Sequence, residues 1–143
     1  MKRLFVYVLC IVLGIVACMN FCGCSGNVQD TDLWQNALYS EDIELGEGNK
    51  TVTVDVVVMD KKVTFTIHSD KDNLGDALME HKLIEGEKSV YGIYVKKVNG
   101  ILADYDVDKT YWAFTKNGES MMTGVDGAEF KDQDKFELVY TKL

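Results

Sequence analysis

The sequence predicts an α+β domain in which a β-hairpin and one main helix pack on a mixed or antiparallel sheet of about five strands. Three observations carry this. Apolar and polar residues alternate at period two through "TVTVDVVVMDKKVTFTIHS" (51–69). The period lengthens to three and four in "SDKDNLGDALMEHKLI" (69–84), and period two then returns in further segments out to Tyr140. Strands, one helix, then strands again is the segregated order of an α+β domain.

Each element has its own grounds. Val52, Val54, Val56 and Val58 share one face of the first strand, Asp60-Lys61-Lys62 turns the chain, and Val63, Phe65 and Ile67 share a face of the second, opposite Thr64, Thr66 and His68. Leu74, Ala77, Leu78 and His81 line one side of a helix that Asp72 or Asn73 can cap, and Asp76 suits its positive end. This helix is expected to end near "EGEKS" (85–89). Ile93, Val95 and Val98 alternate up to an Asn99-Gly100 turn. Tyr111 and Ala113 then face one way, Trp112 and Phe114 the other, before the hairpin signal Asn117-Gly118. Phe136, Leu138 and Tyr140 close the chain as a final strand. A hairpin, a helix across it and strands returning beside the first is a β-grasp-like layout.

The chain of 143 residues has room for one domain, placed at residues 50–143. Its formal net charge is −8, and loss of Lys2 and Arg3 with a leader makes it more negative still. No basic surface is left to displace phosphate counterions, which disfavours nucleic acid as a partner. All four cysteines fall within the first 24 residues, so the folded part has no thiolate metal site, disulfide or cysteine nucleophile.

Those first residues read as an address. Lys2 and Arg3 precede an apolar run from Leu4 to Ala17, suited to a signal h-region and short for a membrane span. Ile15-Val16-Ala17-Cys18 resembles a bacterial lipobox, which makes residues 1–17 a lipoprotein signal peptide and Cys18 the lipidated residue. Gly23-Cys24 offers Cys24 as the alternative. Either way the domain is expected on the outer face of the cytoplasmic membrane, with membrane contact through the lipid. Residues 18–49 are read as the lipidated N-terminus and a polar, acidic linker, in which Leu33, Trp34, Ala37 and Leu38 stand at the spacing of a short helix or turn.

Several marks occur in order: "YGIYVKKVNGI" (91–101), "YWAFTKNGE" (111–119), "TGV" (123–125) and "FKDQDKFELVY" (130–140). Together they resemble the transcobalamin-like C-terminal domain family, found in bacterial surface lipoproteins and as the smaller half of animal cobalamin carriers. The resemblance implies the same α+β fold and cobalamin or another corrinoid as ligand. Two departures stand out. The carriers also possess a large α-helical barrel domain, for which these 143 residues have no stretch, and the family's Gly-Asp before the last strand is Gln133-Asp134 here.

The residues themselves point to an edge that holds a ligand. Rings with a polar handle at Tyr94, Tyr111 and Trp112, the Asn117 turn, and the adaptable thioethers of Met121 and Met122 are the predicted ligand-binding set. The competing expectation is a docking module for a protein or cell-wall glycan, using the same edge. Asp104, Asp106 and Asp108 alternate, and in an extended segment would share one face and invite Ca²⁺ as cofactor. They fail the EF-hand template, since Lys109 and Thr115 stand where Gly and Glu are needed. Asp126, Asp132 and Asp134 raise the same possibility of a cation. His68 with Asp70 and Asp72 is a loose metal-ligand set, and His81 lies by the apolar helix face. No GxSxG, phosphate-binding glycine loop or HExxH is present, so the chain is expected not to be an enzyme.

Overall fold

The structure, a computed structural model, describes residues 32–143. The expected signal peptide, Cys18 and Cys24 lie outside the described residues. A 3-10 turn (Leu33–Asn36) leads into β1 (Ile43–Gly46), β2 (Lys50–Val58), β3 (Lys61–Ser69), helix α1 (Leu74–Glu80) and β4 (Ile84–Ser89). There follow β5 (Gly92–Val98), β6 (Ile101–Leu102), the single turn α2 (Tyr105–Asp108), β7 (Thr110–Lys116), β8 (Glu119–Ser120), a 3-10 turn (Val125–Gly127) and β9 (Lys135–Lys142).

The strands form two sheets, one of six in the order β1-β3-β2-β9-β7-β8 and one of three in the order β4-β5-β6. This corrects the expected single sheet of about five. The larger sheet is mixed: β9 runs parallel to β2, with Val54 opposite Phe136, and antiparallel to β7, with Trp112 opposite Tyr140. Val52, Val54, Val56 and Val58 of β2, Val63, Phe65 and Ile67 of β3, Phe136 and Leu138 of β9, and Trp112 of β7 bury one face of it. Leu74, Ala77 and Leu78 of α1 join the same core, as do Ile84, Ile93, Val98 and Ile101 of the smaller sheet. Full burial of each such side chain is worth about 1.5–3 kcal/mol. That packing, more than propensity, holds a helix of only seven residues. Asn73 is its cap, the side-chain oxygen accepting from Asp76 N at 2.8 Å.

Two strands went unread in the sequence. "EGEKS" is not the tail of the helix but most of β4. Only Ile84 of this strand is buried, so nothing alternates, and pairing with β5 around a bulge at Glu85/Gly86 holds it. Ile43–Gly46, expected within a linker, is β1, paired in parallel with β3. The packed part of the chain therefore begins before Lys50. Trp34 Nε1 donates to Val58 O at 3.4 Å, the Lys61 ammonium lies 4.6 Å above the Trp34 ring, and Tyr39 meets Phe65 edge-on at 5.8 Å. The expected helical spacing here amounts to one 3-10 turn, which leaves Leu38 exposed.

Asn99 fastens this N-terminal segment. It is fully buried at positive φ, its Oδ1 accepts from Tyr39 N at 2.9 Å, and its Nδ2 donates to Tyr39 O at 2.8 Å. Asn99→Ala loses both bonds in a conformation alanine disfavours, and should cost about 2–4 kcal/mol. Limited proteolysis should then cut between residues 32 and 42 before the rest of the domain. Cleavage that begins elsewhere would contradict this role.

Candidate functional site: a groove between the two sheets

From Thr110 to Lys116, β7 is paired to β9 on one side, while on the other side β8 reaches Thr115 and Lys116 and Met121 N donates to Phe114 O at 3.0 Å, which leaves Thr110 to Ala113 as an edge. Among the described residues no strand pairs with this free edge. Facing it is the Ile93–Val95 stretch of β5, which β6 joins only at Lys97 and Val98. The gap is a groove of about 370 Å³, walled by β5, by Tyr111–Phe114 of β7, by Ser120 of β8 and by Met121 and Thr123–Val125 beyond it. Adjacent side chains of β7 leave the strand on opposite faces. Tyr111 and Trp112 both line the groove because it runs along the strand's edge.

Of the predicted ligand-binding residues, the fold brings Tyr94, Tyr111, Trp112 and Met121 together around this space. It does not bring Asn117 or Met122 there. Asn117 lies in the β7–β8 turn by a separate recess with Gly118, Lys135 and Glu137, and Met122 is 98% exposed. Ile93, Val95, Ser120, Thr123 and Val125 also line the groove, none of them among the individually predicted ligand-binding residues. The only signal was the small-residue run Thr123-Gly124-Val125, where a Cβ on Gly124 would come within 3.1 Å of Ile93 O.

The lining is uncharged and rich in rings. Trp112 is 7% exposed and meets Tyr140 edge-on at 5.5 Å, yet its Nε1 is buried without a hydrogen-bond partner among the described residues. Such a wall suits a flat, largely apolar and uncharged group.

The acidic candidates are engaged elsewhere. Asp104, Asp106 and Asp108 do not sit in an extended segment, because Tyr105–Asp108 is a helical turn. Asp104 caps it, accepting from Asp106 N at 3.0 Å. Asp108 accepts from Thr110 N at 3.1 Å and from its hydroxyl at 2.5 Å, and the hydroxyl bond holds its carboxyl below the usual range. Asp132 accepts from Thr51 N at 2.7 Å. Burial raises the Asp134 carboxyl, but the Lys116 ammonium at 2.7 Å and the Lys131 amide bring it below its ordinary value. Gln133 keeps the left-handed turn geometry at φ 70° without the family's glycine.

His68 lies between Glu44 and the Thr51 hydroxyl, whereas Asp70 accepts from the Asn49 backbone and side chain. His68, Asp70 and Asp72 thus do not converge. Among the described residues no three His, Cys, Asp or Glu side chains are placed to hold a metal ion. His81 Nε2 is buried beside Gly46, with no hydrogen-bond partner among the described residues.

A small α+β domain with an aromatic groove along a free strand edge is the class these features define. The chain belongs to the transcobalamin-like family described as a domain of unknown function (DUF4430), whose model matches residues 71–142. A crystal structure from Ruminococcus gnavus, described as a "putative metal binding protein", is 32% identical, with 66% of this chain and 99% of that chain covered at a TM-score of 0.63. Haptocorrin in complex with Cbi is 17% identical at a TM-score of 0.53, with 68% of this chain and 26% of that chain covered, a likeness of fold alone. No curated protein matches the sequence.

Proposed function

We propose that this is a non-enzymatic, lipid-anchored surface domain whose β5–β7 groove binds a small ligand, with a corrinoid as the ligand class. The observation that carries the reading is the convergence of Tyr94, Tyr111, Trp112 and Met121 on one uncharged groove. The likeness to haptocorrin in complex with Cbi supports the ligand class, and the lipobox at Cys18, with Cys24 as alternative, supports the anchored location. In the same reading the architecture is β-grasp-like, supported by hairpin β2–β3, helix α1 and the return of β9 parallel to β2. A space of about 370 Å³ takes an edge of a corrinoid, not the whole macrocycle. The rest of the ligand stays outside, available to a second protein such as a transporter.

The test is isothermal titration of the leaderless protein, residues 25–143, with cyanocobalamin. Saturable binding is expected. Met121→Ala should weaken it about three- to tenfold, by loss of one buried thioether contact, and Met122→Ala should leave it unchanged. Equal effects of the two substitutions would place the ligand elsewhere. A second reading, a protein- or glycan-docking module, is favoured by the exposed Val90 and Tyr91 at the β4–β5 hairpin tip. Absence of corrinoid binding by the folded protein would make it the leading account.

A further inference from the structure

Three glycines from three separate elements converge on Asp126, in the 3-10 turn that borders the groove. A Cβ on Gly75 of α1 would lie 2.9 Å from Asp126 N and Cα. One on Gly92, where β5 begins, would lie 2.6 Å from its Oδ1, and one on Gly124 would lie 2.9 Å from the same oxygen. That Oδ1 accepts from Ile93 N at 2.8 Å, on the groove wall. The next residue back, Val125, is 1% exposed and anchors the turn in the core. An ordinary surface aspartate needs no such clearance. Here helix, hairpin and turn each give up a side chain so that one carboxylate can reach one amide.

We propose that Asp126 is a positioning residue for the groove: it latches the β4–β5 hairpin to the Thr123–Gly127 turn and so sets the separation of the two walls. Ile93, Tyr94 and Val95 lie directly after the latched amide, and Thr123–Val125 directly before the carboxylate. A hairpin so tethered cannot swing its rings away from β7. Without the latch, core contacts are what joins the smaller sheet to this side of the site among the described residues, and the walls take a range of separations. Preorganisation of this kind raises affinity by removing the cost of ordering the walls at binding. The role in binding rests on the ligand-groove reading above, whereas the latch itself does not.

The experiment compares the wild-type leaderless protein with Asp126→Ala, which removes the acceptor, and Asp126→Asn, which keeps an Oδ1. Gly92→Ala adds a methyl against that oxygen from the hairpin side, at a φ of 108° that alanine disfavours. NMR reads exchange of the Ile93 amide and the nuclear Overhauser contacts between Ile93 and Val125, and titration reads cyanocobalamin affinity. In Asp126→Ala and Gly92→Ala the Ile93 amide should exchange at least tenfold faster while β2 and β9 amides stay protected, and affinity should fall about tenfold. Asp126→Asn should stay within about threefold of wild type in both.

Unchanged Ile93 exchange in Asp126→Ala would overturn the latch. Faster exchange with wild-type affinity would overturn its role in binding. Wild-type protein that binds no cyanocobalamin, with the Ile93 to Val125 contacts still lost in Asp126→Ala, would sink the corrinoid reading and leave the latch standing. Should Asp126→Ala fail to fold, Gly92→Ala carries the same comparison.

Discussion

Trp112→Ala is expected to lower stability by about 3–5 kcal/mol and to abolish corrinoid binding, whereas Trp112→Phe should cost less than about 1 kcal/mol. The alanine variant loses the ring that packs on Tyr140 and leaves a large cavity in a core of this size. Natural domains have only about 5–15 kcal/mol in total, so binding must be measured well below the variant's midpoint. The phenylalanine variant loses part of the same packing but also removes a buried N–H that has no partner among the described residues. An unsatisfied buried donor costs about 1–3 kcal/mol, and its removal offsets most of the lost contact. Denaturant unfolding with unchanged slope is the measurement. A phenylalanine variant as unstable as the alanine variant would show that Nε1 is satisfied in solution.

Asp55→Asn is expected to lower stability near neutral pH by about 2 kcal/mol, a fall of roughly 8 °C in melting temperature, and to be almost harmless in acid. Asp55 lies on the face of β2 opposite Val52, Val54, Val56 and Val58 and is 1% exposed. Its carboxylate accepts from the Thr64 hydroxyl at 2.8 Å and pairs with Lys135 at 3.0 Å and Lys62 at 3.2 Å. Burial raises its carboxyl, but the Thr64, Lys135 and Lys62 contacts outweigh this and hold it below the ordinary value of 3.8.

A folded-state pKa below the unfolded one means the stabilisation is complete above the unfolded value and disappears as pH falls through the folded one. The wild type should therefore lose stability below about pH 4, and the Asp55→Asn curve should converge on it there. Asp70 is shifted in the same direction, mainly by the Asn49 backbone and side-chain donors, as are Asp108 and Asp134, so the acid slope is shared. Parallel curves for the two proteins down to pH 2 would refute the assignment to Asp55.

Much of the architecture was legible because burial writes a period into the chain. Where one face of a strand meets the core, as at Val52 to Val58 or Val63 to Ile67, alternation is obligatory, and the helix face at Leu74, Ala77 and Leu78 is marked in the same way. Strands held by pairing alone leave no such mark. Thus β4 was hidden in "EGEKS". β1 does alternate, with Ile43 and Leu45 half-buried against the core, but over only four residues inside an acidic stretch that reads as linker. The acid triplet could be read two ways, as a shared carboxylate face if extended or as a solvated acidic turn, and Asp104 capping a helical turn decides for the turn.

The sequence by itself determined the α+β class, the hairpin and helix, the family marks and four of the residues that line the groove, since each follows from local chemistry or from a period of two or three to four. It could not determine that β5 leaves the main sheet, that a groove opens where it does so, or that Met121 enters it while Met122 does not. Nor could it show that Gly75, Gly92 and Gly124 make room for Asp126. These are contacts between residues far apart along the chain, and a strand's side-chain pattern is the same whichever neighbour its edge meets. Only the closing of the core chose the neighbour, and with it the site.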